Sequence, residues 1–148
     1  MSADPAQPMM NAPSAEPSPP PVQGTVLCIE DHAPSMDLVE AMLAGFAGVR
    51  LLKAYTGQEG IRLAQTAKPD LVLLDMRLPD TTGLEVVRTL NQQMANRQLR
   101  VVLLTSDSFS IEVVKAMSLG AQEYWPKPLT REHVESGLRR LLGSEPRR

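Results

Sequence analysis

Four aliphatic residues in a row, Leu71-Val72-Leu73-Leu74, run into a carboxylate, Asp75, and then into a turn, Met76-Arg77-Leu78-Pro79-Asp80. A run without polar alternation predicts a strand buried on both faces, as in a parallel sheet covered by helices on each side. Asp75 then stands at the carboxyl end of a central strand, the edge where open α/β sheets hold their ligands. Pro69, just before the run, blocks any helix from continuing into it.

The same pattern recurs along the chain. Thr25 to Ile29 ends on Glu30-Asp31, Arg100 to Leu104 on Thr105-Ser106-Asp107, and Ala121 to Trp125 on Pro126-Lys127-Pro128. Val49 to Ala54 is short and mixed, as an edge strand would be. Helix signals lie between these runs. Pro34-Ser35 opens a helix with Leu38, Met42 and Phe46 predicted on its inner face. Thr56 with Glu59 and Thr82 with Glu85 have capping-box form. Ile111 and Val114 mark a fourth helix, and Thr130 caps a fifth that carries Val134, Leu138, Leu141 and Leu142. Strands joined by crossover helices are parallel, with right-handed connections. The expected class is α/β, with a parallel five-stranded sheet.

A length of 148 residues suits one domain plus a tail. Residues 1–22 are rich in Pro, Ala and Ser without apolar periodicity, and are expected to form a disordered Pro-rich tail. The folded domain is expected over 23–143, with 144–148 frayed and no length left after it for a second domain. The net charge of -2 offers no field for nucleic acid. No apolar run reaches the roughly 18 residues of a membrane span, and no basic-then-apolar leader opens the chain. A cytoplasmic protein that contacts neither membrane nor nucleic acid directly is expected. Cys28, the single cysteine, sits inside an apolar run and reads as a small core hydrophobe.

Alternating strands and helices bring every strand's carboxyl end to one edge. Glu30, Asp31, Asp75, Thr105 and Lys127 therefore converge. Three crowded carboxylates repel unless a cation sits among them, and hard oxygen ligands suit Mg²⁺. A cation, an ammonium and a hydroxyl around one carboxylate are the groups that phosphoryl transfer to that carboxylate needs. The product adds charge and acceptor oxygens that can draw in a hydroxyl such as that of Thr105. A phosphohydrolase with the same nucleophile would want a second acid two residues on to protonate the leaving group. Arg77 stands there instead. An adaptor that binds partners without phosphorylation would not need all five groups.

From about residue 24 to 142 the chain resembles the receiver domain of two-component response regulators. The matching segments are Val26 to Asp31, Pro69 to Pro79, Gly83-Leu84-Glu85, Val101 to Ser106, and Leu119-Gly120-Ala121 through Lys127-Pro128. The resemblance implies a flavodoxin-like (βα)5 fold with strand order 2-1-3-4-5. It implies Asp75 as phosphoacceptor, served by a histidine kinase or a histidine phosphotransfer protein. Mg²⁺ would be held by Asp31, Asp75 and the backbone carbonyl of Arg77, with Glu30 acting mainly through water. Thr105 and Ser106 would meet the phosphoryl group with Lys127, and Tyr124 would be the rotating switch aromatic. Arg77 and Asp107 would tune dephosphorylation. Such a module is a phosphoacceptor switch rather than a turnover enzyme, catalysing its own phosphotransfer and a slow autodephosphorylation. The Lys127-Pro128 bond is expected to be cis. Trp125 stands where the family is usually aliphatic, and Pro126 before the lysine is unusual. Output is expected from a surface around the fourth helix, Tyr124, Trp125 and the fifth helix, toward an unknown protein target. A phosphorelay intermediate is the alternative, because Val26 to Leu43 also resembles receivers of hybrid kinases.

Overall fold

The computed structural model describes residues 21–143. The Pro-rich segment up to residue 20 and the C-terminal residues 144–148 lie outside the described residues. Ten elements alternate: β1 Gln23–Ile29, α1 Ala33–Leu43, β2 Gly48–Ala54, α2 Gly57–Thr66, β3 Leu71–Asp75, α3 Gly83–Ala95, β4 Arg100–Thr105, α4 Ile111–Ser118, β5 Glu123–Pro126 and α5 Arg131–Leu142. All pairings are parallel and the strand order is β2-β1-β3-β4-β5, so the expected 2-1-3-4-5 sheet is present.

Every residue of β3 is buried, as its unbroken aliphatic run requires. Its side chains alternate between two apolar layers. Val72 and Leu74 join Leu27, Val87, Leu90 and Leu103 on one face. Leu71 and Leu73 join Val26, Met36, Val39, Trp125 and Leu138 on the other. Val22, which the sequence reading assigned to the tail, is buried in this second layer. Cys28 is buried there too, and burial pushes its thiol up to about 12, so it stays a neutral hydrophobe.

The caps form as their sequences dictate. Thr56, Thr82 and Thr130 accept from the backbone N–H groups of Glu59, Glu85 and His133 at 3.1, 3.2 and 3.1 Å. Ser110 does the same for α4, accepting from Val113 at 3.2 Å. β5 closes the sheet at one edge. Pro126 sits opposite Thr105, where a residue without an N–H is tolerated because, among the described residues, no strand pairs beyond it.

At three places the facing of side chains differs from what the sequence pattern suggests. In α1 the sheet covers Met36, Val39, Met42 and Leu43, while Leu38 is exposed. Phe46 lies beyond the helix but still packs, half-buried, against the second apolar layer, with the Arg139 guanidinium 5.6 Å from its ring centre. In α4 the buried residues are Val113 and Ala116, whereas Ile111 and Val114 are 64% and 59% exposed. Trp125 is fully buried against Gly137, so it belongs to the core and not to an output surface. Neighbouring strand residues point to opposite faces, and here Tyr124 takes the outer one.

Candidate functional site

The strand order places β1 beside β3 and β4 beside β3, so three carboxyl ends lie adjacent. The residues there line a cleft of about 670 Å³ whose walls include Glu30, Asp31, Asp75, Arg77, Thr105, Ser106, Asp107 and Lys127. Ligand oxygens of Glu30, Asp31 and Asp75 all lie within 4.8 Å of one another. Lys127 enters from the end of β5. Its Nζ donates to Glu30 Oε1 at 2.9 Å and to Asp75 Oδ1 at 3.3 Å. The other oxygen of Glu30 accepts from the His32 N–H at 3.1 Å. A buried acid is thus hydrogen-bonded on both oxygens, as burial demands. The Lys127-Pro128 bond is cis.

Burial pushes the Asp75 carboxyl up to about 6, and the charge of Glu30 adds to the rise. Lys127 and the N–H of Arg77 oppose it without cancelling it. Burial alone would favour neutral Lys127, but Glu30 and Asp75 outweigh that and hold its pKa above the ordinary value. Three acids thus face one ammonium. An all-oxygen donor set with excess negative charge fits a hard divalent cation such as Mg²⁺.

Thr105 is buried, and its hydroxyl both donates to the Asp107 carbonyl at 3.1 Å and accepts from the Asp107 N–H at 3.0 Å. The Asp107 carboxylate is itself engaged, accepting from the Phe109 N–H at 3.1 Å. The loop is therefore closed upon Thr105. Of the residues singled out from sequence, Tyr124 alone does not line the cleft; its ring is partly exposed on β5. Asp80 was not singled out. It contacts α2 across 23 residues of sequence, and no local pattern signals such a partner.

A family profile described as the response regulator receiver domain matches residues 26–139. The chain belongs to that family. This receiver domain is 35% identical over 117 residues to the KDP operon transcriptional regulatory protein KdpE of Escherichia coli, covering 79% of this chain and 50% of the relative. It is 29% identical over 118 residues to the phosphate regulon transcriptional regulatory protein PhoB of Pseudomonas aeruginosa, covering 80% and 51%. The chain thus spans about half the length of the curated relatives it matches. Among solved structures, the receiver domain of the sensor histidine kinase PA1611 of Pseudomonas aeruginosa, which has a magnesium ion in its active site cleft, superposes with a TM-score of 0.73 at 27% identity, covering 82% of this chain and 99% of that one. Chemotaxis response regulator CheY4 of Vibrio cholerae gives 0.72 at 26% identity, covering 81% and 99%. Family membership makes this a receiver domain of the two-component response-regulator type. Among the described residues, no helix is long and apolar enough to cross a membrane.

Proposed function

We propose that this receiver domain accepts a phosphoryl group on Asp75 from the phosphohistidine of a histidine kinase or histidine phosphotransfer protein. The observation that carries the reading is the placement of Asp75: at the end of the central strand, 3.3 Å from Lys127, with Glu30 and Asp31 grouped beside it. An Asp75 oxygen attacks phosphorus, the P–N bond to histidine breaks, and the imidazole leaves with the bond's electron pair. Glu30, Asp31, Asp75 and the Arg77 carbonyl are the groups that would hold Mg²⁺, which when bound supplies positive charge to the phosphoryl oxygens. Lys127 orients the transferring group and balances its charge from the other side. Ser106 is small enough to leave the entrance open.

Phosphorylation would place acceptor oxygens next to Thr105. The Thr105 hydroxyl can exchange Asp107 for the phosphoryl group, which frees the loop before α4. That loop carries Phe109, 91% exposed, and leads into Ile111 and Val114, both outward. These residues, with Tyr124, are the surface we assign to output toward a protein target. Arg77 and Asp107 flank the entrance and set how readily water reaches the acyl phosphate. The likeness to a sensor kinase's receiver favours a second use, as a phosphorelay intermediate.

The deciding experiment is mass measurement after incubation with Mg²⁺ and a small phosphodonor. One added phosphoryl mass is expected in the wild type and none in Asp75→Asn. A wild-type chain that gains no mass overturns the reading.

A further inference from the structure

The turn after Asp75 is held at both ends. At its base, Met76 N donates to the Leu104 carbonyl at 3.3 Å and the Met76 carbonyl accepts from Gly83 N at 3.0 Å. Arg77 and Thr82 form an antiparallel bridge between these bonds, and the Arg77 N–H reaches the Asp75 carboxylate. At its tip, Asp80 leaves the turn and meets α2. Asp80 Oδ1 accepts from Gly57 N at 2.8 Å and Oδ2 from Gln58 N at 2.9 Å. The first N–H groups of a helix lack intrahelical partners. Thr56 already serves Glu59 in this one. Asp80 serves the two N–H groups before that of Glu59, those of Gly57 and Gln58, and does so from another part of the chain. The fit is close: a Cβ on Gly57 would overlap Thr81 and lie 3.2 Å from Asp80 Oδ1 and 3.5 Å from Leu78.

We propose that Asp80 is a positioning residue for the cleft. By clamping the tip of the turn onto α2 it holds the Arg77 peptide against Asp75. The proposal rests on the phosphoacceptor reading insofar as that peptide also supplies a cation ligand. A turn tied only at its base samples more conformations, and a ligand on it must be ordered again at each binding event. Linkage runs both ways: a cation that favours the clamped turn must also favour the clamped first turn of α2.

Four proteins test this: wild type, Asp80→Ala, Gly57→Ala and Thr56→Ala. Two readouts are used, amide hydrogen exchange in the metal-free protein and calorimetric titration with Mg²⁺. Asp80→Ala is expected to speed exchange of the Arg77 amide about tenfold and to weaken Mg²⁺ binding about tenfold. Gly57→Ala is expected to act in the same direction, because its methyl displaces Thr81 although alanine favours helix over glycine. Thr56→Ala removes the ordinary cap and is expected to loosen α2 with a much smaller effect on Arg77. Unchanged Arg77 exchange in Asp80→Ala, or equal loosening of Arg77 by Thr56→Ala, overturns the proposal. A wild-type chain that binds no Mg²⁺ and takes no phosphoryl group overturns the reading of the cleft instead, and exchange at Arg77 then decides the role of Asp80.

Discussion

Lys127 reaches across 97 residues of sequence to place its ammonium 2.9 Å from Glu30, a carboxylate almost wholly removed from water. The same ammonium lies 3.3 Å from Asp75, the proposed phosphoacceptor, so one positive charge is shared between two acids. Lys127→Met would leave two buried acids facing each other. Breaking a fully buried pair costs roughly 3–5 kcal/mol, and the loss here should be smaller because the lysine is partly exposed. Urea unfolding at neutral pH in chelator should show that loss. Phosphorylation by a small donor should slow at least about tenfold. Because Glu30 and Asp75 raise the lysine's pKa, its contribution should be complete below the ordinary lysine range and vanish only as pH rises through the raised value. An unchanged unfolding midpoint would contradict this account.

Asp75 has the opposite sign. Its folded-state carboxyl holds a proton up to about pH 6, whereas in the unfolded chain it ionises from about pH 4. Between these values the folded state binds more protons, so stability falls as pH rises, and the penalty is complete above pH 6. In metal-free solution at pH 7.5, roughly, Asp75→Asn should therefore be more stable than wild type by about 2–3 kcal/mol. The gain should disappear below about pH 4. Urea midpoints measured across that range check it, and a variant no more stable at neutral pH would refute it.

Mg²⁺ should relieve the same penalty. Saturating Mg²⁺ is expected to stabilise the wild type by about 1–3 kcal/mol, the linkage of binding to folding. Asp31 is exposed, so Asp31→Asn should fold normally yet lose most of this increment. Thermal scans with and without the cation distinguish the outcomes. An increment kept in full by Asp31→Asn would remove that residue from the proposed donor set.

Trp125 and Gly137 form a second matched pair. A Cβ at Gly137 would stand 2.9 Å from Trp125 Cε2 and nearer still to another ring atom. Gly137→Ala should destabilise by about 1–3 kcal/mol through overpacking, despite the higher helix propensity of alanine. Trp125→Leu in the same chain should recover much of that loss, and a double-mutant cycle measures the coupling. Additive losses would mean that the two residues do not share this space.

The sheet was legible because parallel strands buried on both faces spell themselves as unbroken aliphatic runs, each followed here by a polar residue. Leu71 to Asp75 needed no further context. The caps were legible because Thr56, Thr82 and Thr130 act on neighbours in sequence. What escaped was facing. The eight residues of α4 include Ile111, Val113, Val114 and Met117, which fit more than one apolar stripe, and only the packing chooses Val113 and Ala116. Tyr124 and Trp125 were read as one surface although strand alternation separates them. Asp80 escaped because its two partners belong to a helix that precedes it in the chain.

The edge strand β5 is four residues long and ends in Pro126. Between Tyr124 and Lys127 the chain therefore presents little free backbone to a neighbouring molecule, and its last residue has no donor to offer. Exposed strand edges recruit other chains, and short length and proline are the usual protections. The β5 edge lies beside the proposed switch, where a change of state would loosen the packing of α4. A short edge that ends in proline is poorly suited to act as a template for aggregation in either state.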